Sequence, residues 1–126
     1  MQLSQENPDF TYVLRGVTAD GVLVNQRTIA RSFLLAPNSL VEDWRPTSAA
    51  DLQPADLDAA LALQPSLLLL GTGPRQRFPS PAAMAALLTR GIGIEVMDNA
   101  AAARTFNVLA TEGRRVVAGF LLPGDS

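Results

Sequence analysis

Residues 66–98, SLLLLGTGPRQRFPSPAAMAALLTRGIGIEVMD, decide the fold. Leu67 to Leu70 is a short, wholly apolar run closed by glycine, the pattern of a strand buried on both faces. Ser80 then Pro81 reads as an N-cap followed by the first helical residue. A serine oxygen accepts an orphan N–H there, and proline lacks only an N–H that the helix would leave unpaired. Met84, Leu87 and Leu88 stripe that helix, Gly91 stops it, and IGIEVM (92–97) is the next strand. Strand, helix and strand with short joints imply a parallel crossover, right-handed by default.

Working outward, Asp98 caps a helix through NAAAARTFNVLA to Gly113, and RRVVAGFLLP (114–123) completes the sheet. Upstream, Ser48 and Asp51 cap the approach to a helix from about Pro54 to Leu63. Leu57, Ala60 and Leu61 share its face, and Pro65 forbids continuation. Earlier still the texture is that of strands: Phe10 to Val17, an Asp20-Gly21 turn, VLVN, RTIARSFLLAP broken by Pro37-Asn38, and SLVEDWRP stopped at Pro46. Such a meander wants one face covered, so it extends or covers the sheet. The expectation is an α/β chain forming a single compact three-layer domain over 1–126. Its central sheet is mixed, with an N-terminal β-meander followed by βαβαβ, and residues 1–9 read as a flexible tail.

Composition narrows the chemistry. With 126 residues, 48% of them hydrophobic and 17% charged, the chain can bury a real core. The formal charge of −2 offers no positive field for nucleic acid. Lysine, cysteine and histidine are all absent, which removes P-loop and Schiff-base lysines, disulfides, thiolate nucleophiles, Cys/His zinc sites and the imidazole proton shuttle. No cofactor or metal is expected. The opening MQLSQENPDF has no secretory pattern, and the longest aliphatic run is too short to span a bilayer. The expectation is a soluble, cytoplasmic protein that does not itself cross the membrane.

The loop after Leu70 raises the functional question. Gly71-Thr72-Gly73 is not a Walker loop, which needs a lysine, nor a dinucleotide fingerprint, because Gln76 stands where the third glycine belongs. Topology nonetheless places Gly71, Thr72, Gly73 and Arg75 at the same sheet edge as Asp98 and Asn99, where open α/β sheets bind ligands. One hydroxyl, one carboxylate, one amide and a guanidinium beside helix N-termini suit a small anionic ligand. Plainer accounts stand beside this one: glycines for positive φ or close packing, Asp98 as an N-cap, and Phe78 as a lid on the core. Arg75, Arg77 and Phe78 also read together as a partner-docking protrusion, stiffened by Pro74 and Pro79. Glu95 and Arg104 read as a structural ion pair.

The segments LLLLGTG, FPSP, GIGIEVMDNAAAARTFNVLATEGRRVVAGFLLP and TYVLRG, with the isolated Trp44, resemble the small domain family of the mitochondrial complex I assembly factor 3 and its bacterial and archaeal relatives. The resemblance runs from about Phe10 to Pro123 and is most specific from Gly91 to Leu109. It implies a three-layer fold with a central mixed sheet, and it carries over Gly71, Thr72, Gly73, Phe78, Pro79, Glu95, Asp98, Arg104, Asn107 and the Gly113 turn. Where the family pattern often has a cysteine, Ala103 stands here. The mitochondrial relatives act through protein contacts in assembling a respiratory membrane complex, so the resemblance implies a protein partner, a membrane-complex subunit.

Three function classes follow. The first is a non-catalytic interaction or assembly factor; the second is a small-anion binder at the Gly-Thr-Gly loop. The third is an enzyme built from Asp, Glu, Arg, Thr and Tyr12 alone, for which no spacing speaks, so the chain is read as no enzyme.

Overall fold

A computed structural model describes residues 11–124. Its strands are β1 (Leu14–Thr18), β2 (Gly21–Val24), β3 (Arg27–Ile29), β4 (Arg31–Ala36), β5 (Ser39–Val41), β6 (Leu67–Gly71), β7 (Gly93–Met97) and β8 (Val116–Pro123). A 3₁₀ turn (Pro54–Leu57) runs into α1 (Asp58–Leu61), followed by α2 (Pro81–Leu88) and α3 (Asn99–Thr111). The proposed tail, residues 1–9, lies outside the described residues.

The central sheet has the order β5-β4-β8-β6-β7 and is mixed. β6 pairs in parallel with both β7 and β8, while β4 runs antiparallel to β8 and β5. The expected βαβαβ unit is therefore present, and α3 carries the chain from β7 across β6 to β8. Among the described residues, no helix is long and apolar enough to cross a membrane.

Side-chain alternation explains the three layers. Phe33 and Leu35, Leu67 and Leu69, and Val116, Ala118, Phe120 and Leu122 face one way, into a core closed by α3 and the small sheet β1-β2-β3. Leu34, Leu68, Leu70, Val117 and Leu121 face the other way, against Trp44, the 3₁₀ turn, α1 and α2. A period of two on strands with both faces covered demands apolar side chains through the sheet. Buried Ser32, near the start of β4, is tied to β8 by accepting the Leu122 N–H at 2.8 Å. Phe33 and Phe120 stack with centroids 5.0 Å apart, joining β4 to β8 in the first core.

The first half of the chain departs from the sequence reading in three places. RTIARSFLLAP is not one strand: it breaks at Ala30, giving β3 to the small sheet and β4 to the central one. The chain is crossed closely there, since a Cβ on Gly21 would collide with the Ile29 carbonyl oxygen and lie 3.1 Å from Ala30 Cα. SLVEDWRP yields only the three residues of β5, because Asp43 takes a φ of +58° and turns the chain inward. Trp44 then lies over Gly119, where a Cβ would sit 2.7 Å from the indole ring, and its Nε1 donates to the Asp56 carbonyl at 2.9 Å. The helix expected from Pro54 to Leu63 is a 3₁₀ turn plus one α turn, ended at Gln64 with φ +57°. Its entry is held by the Asp56 carboxylate, which accepts the Gln53 N–H at 2.8 Å, while Ser48 Oγ accepts the Asp51 N–H at 3.2 Å.

Candidate functional site

The ends of β6 and β7 meet as the parallel topology requires. Thr72 N–H donates to the Met97 carbonyl at 2.9 Å, and Asn99 N–H donates to the Gly73 carbonyl at 2.8 Å. The Gly-Thr-Gly exit and the Asp98-Asn99 exit therefore share one end of the sheet.

What the polar groups there do is set by these neighbours. Asn99 is buried; its Oδ1 accepts the Gly73 N–H at 3.1 Å and its Nδ2 donates to the Leu121 carbonyl at 3.2 Å. Gly71 is glycine because Asn99 Oδ1 occupies the space a Cβ would need, with Phe120 and Ala102 close behind. Gly73 serves differently, with a φ of +103° that suits only glycine. Thr72 is also buried: its Oγ1 donates to the Arg75 carbonyl at 2.6 Å and accepts the Arg77 N–H at 2.9 Å. Asp98 accepts the Ala101 N–H at 2.8 Å, an N-cap for α3. Of the six residues that the sequence groups around an anion, Arg75 alone presents an exposed charged side chain. A cleft of about 310 Å³ opens instead between Ala36–Ser39 and Gly113–Val117, at the other end of the parallel strands.

The loop itself is exposed from Pro74 to Phe78 but fixed at its base. Thr72 closes its first turn, and Gln76 Nε2 donates to the Val96 carbonyl at 2.8 Å, tying the middle of the loop to β7. Pro79 is buried and Ser80 Oγ accepts the Ala83 N–H at 3.2 Å, fixing the entry to α2. Between these anchors Arg75 and Arg77 are exposed and Phe78 is 64% exposed. A lid on the core would be covered; Phe78 is not.

Two expected partners are apart. Among the described residues Glu95 and Arg104 form no ion pair with each other. The cause is topological: β7 is the outermost strand, whereas α3 packs chiefly on β1, β8 and β6. Arg104 lies beside residues 14–17 across a cleft of about 150 Å³. Asn107, carried over by the resemblance, bridges α3 to β1: its Oδ1 accepts the Leu14 N–H at 3.0 Å and its Nδ2 donates to the Leu14 carbonyl at 2.6 Å. Gly113, at φ +76°, ends α3, and Ala103 is buried in the core beneath it. Tyr12 is half-buried, its backbone N–H donating to the Pro37 carbonyl.

The sequence reading missed two arrangements. Gln76 served there only to rule out phosphate-loop motifs, although it is the tether that orients the loop. No local pattern marks it, since its acceptor lies 20 residues on. The other is Arg45, whose guanidinium grips the Asp56 carboxylate with two bonds of 2.8 and 2.6 Å and reaches Asp51 Oδ1 at 3.1 Å. The Arg45 hydrogen bonds hold the Asp56 carboxyl below the usual carboxylate range. Asp51 is lowered first by the Thr47 backbone N–H and then by Arg45. This network staples the 45–56 segment beneath Trp44.

A family model described as "Protein of unknown function (DUF498/DUF598)" matches residues 14–121. The chain belongs to this family. Within reach of it by sequence is the NADH dehydrogenase (ubiquinone) 1 alpha subcomplex assembly factor 3 of Bos taurus, 31% identical over 123 residues, covering 96% of this chain. The chain spans about two thirds of that relative's length, 66%. An NMR structure of a Xanthomonas campestris protein is similar at 54% identity with a TM-score of 0.84, covering 100% of this chain and 96% of that one. A Bordetella pertussis protein described as a Mth938-like domain aligns at 31% identity with a TM-score of 0.80, covering 100% of this chain and 95% of its own. The three-layer fold and the family relation read from the sequence both stand.

Proposed function

We propose that this chain is a non-catalytic interaction or assembly factor that engages a protein partner through the loop Arg75–Phe78. The observation that carries the reading is an aromatic side chain left 64% exposed on a loop whose base is hydrogen-bonded in place. A fixed loop loses little conformational entropy on docking, and arginine and aromatic side chains are the types enriched at binding hot spots. The assembly-factor relatives support the same class, and the partner proposed here is a subunit of a multi-subunit respiratory enzyme.

The test is a triple variant, Arg75→Ala, Arg77→Ala and Phe78→Ala. All three side chains are exposed, so stability changes by no more than about 0.5 kcal/mol per site. Affinity capture with the intact chain is expected to recover a stoichiometric partner, and the variant to lose it while melting unchanged. Recovery undiminished by the triple substitution would reject the docking role.

A further inference from the structure

The parity of β7 fixes which of its backbone groups face outward. In a parallel pair, the N–H and C=O of one residue point to the same side, and successive residues alternate. Gly93 N–H donates to Ser66, and the Met97 carbonyl accepts from Thr72, so residues 93, 95 and 97 face β6. Ile94 and Val96 must then point away from the sheet. The Gln76 side chain on the Val96 carbonyl confirms it, because that bond comes from outside the edge. β7 ends the sheet, so among the described residues the N–H and C=O of Ile94 and the N–H of Val96 have no ladder partner. Natural edges are blunted by proline, lysine, bulges or a covering element. β7 has none of the first three; Glu95 is its one charge, and Gln76 covers the Val96 carbonyl. Val96 is itself buried, so Ile94 is the more accessible of the two outward residues.

We infer that this edge is a strand-docking site: an extended segment of the partner polypeptide adds to β7 beside Ile94 and Val96 and carries an acidic residue to Arg75 and Arg77. The inference rests on the reading of the Arg75–Phe78 loop as a docking element and names the form of its partner. Three observations select an extended, charged segment. Only an extended backbone matches alternating outward N–H and C=O groups. Gln76 brings the loop alongside the end of that edge, so Arg77 and exposed Phe78 follow directly from it. The exposed charges are Glu95 on the strand and the two arginines beyond it, which a basic residue opposite Glu95 and an acidic one at the loop would complement. A second copy of this chain is disfavoured in the antiparallel register that pairs Ile94 with Val96, which sets Glu95 opposite Glu95, because like charges directly opposed are destabilising.

The experiment pans a displayed library of random peptides on the intact chain and synthesises the segments recovered. Segments with an acidic flank are expected. They should slow amide hydrogen exchange at Ile94 and Val96 by about tenfold or more, the loss of one good hydrogen bond being worth about that factor. Ile94→Pro removes an outward N–H, which an edge strand tolerates, and trims a partly buried side chain, and should weaken binding at least about tenfold. Methylating the amide nitrogens of the segment that face β7 should do the same, and decides the matter if the proline variant does not fold. Recovery of no segment, unchanged exchange at both amides, or equal affinity of the methylated segment would overturn the inference. Binding that survives Ile94→Pro but not the triple alanine substitution would overturn the strand edge and leave the loop standing. The reverse result would keep the edge and remove the loop.

Discussion

A carboxamide can donate and accept at once, and at Asn99 both capacities are spent on backbone at the ends of β6 and β8, while its own N–H reaches Gly73. Replacing Asn99 by alanine leaves the Gly73 N–H and the Leu121 carbonyl without this partner in a buried setting. The expected loss is about 2–4 kcal/mol, read by denaturant unfolding. Gly71→Ala should be similarly costly, since its methyl group would collide with Asn99 Oδ1. The two effects are coupled. In the Asn99→Ala background the main obstacle is gone, so a double-mutant cycle should show a coupling of about 1 kcal/mol or more. Phe120 and Ala102, each within 3.3 Å of the added Cβ, keep the residual cost above zero. The sequence places these residues together, because strand parity and topology suffice for that. It does not show whether Asn99 faces a ligand or the backbone, since the acceptor at Leu121 lies 22 residues away and leaves no local trace.

Elements with chemical punctuation were legible to within a residue or two. α2 begins after Ser80 and α3 after Asp98, each with a side-chain oxygen on the third following N–H. Asp98→Ala should therefore cost about 1 kcal/mol of stability, seen as a lower unfolding midpoint with the fold retained. Elements fixed by packing at a distance were not legible. The division of residues 27–36 between two sheets depends on Gly21 approaching Ile29, and the inward turn at Asp43 depends on the gap that Gly119 leaves for Trp44. The segment below Trp44 also supplies a pH dependence. Asp56 and Asp51 have carboxyls lowered in the folded state, so their ionised forms favour folding. That contribution is present above the unfolded carboxylate range, about pH 4, and is lost as pH falls through the lower folded values. Melting temperatures measured between about pH 6 and about pH 3 should fall less steeply in Arg45→Ala than in the parent. Some slope should persist, because the Thr47 N–H still holds Asp51.

At the scale of the whole molecule, the two cores sit on opposite faces of one sheet and share β4, β6 and β8. Neither face can be lost without exposing the other side of the same strands. Phe33 and Leu35 point into one core while Leu34 between them fills the other, and β8 alternates in the same way. The expected behaviour is a single cooperative transition, as for most domains of this size. A sharp test is available because the sequence has one tryptophan, and Trp44 belongs to the core under α1 and α2. Phe106 belongs to the other core, on α3, and is fully buried. Phe106→Ala should cost about 3–5 kcal/mol. If the cores are coupled through the sheet, the Trp44 fluorescence transition moves by the full amount although Trp44 lies on the opposite face. Far-ultraviolet circular dichroism should report the same midpoint. A Trp44 transition left at its parental midpoint, with only the dichroism shifted, would mean that the α3 layer and the small sheet unfold on their own. That outcome would make the central sheet two half-independent faces rather than one folding unit.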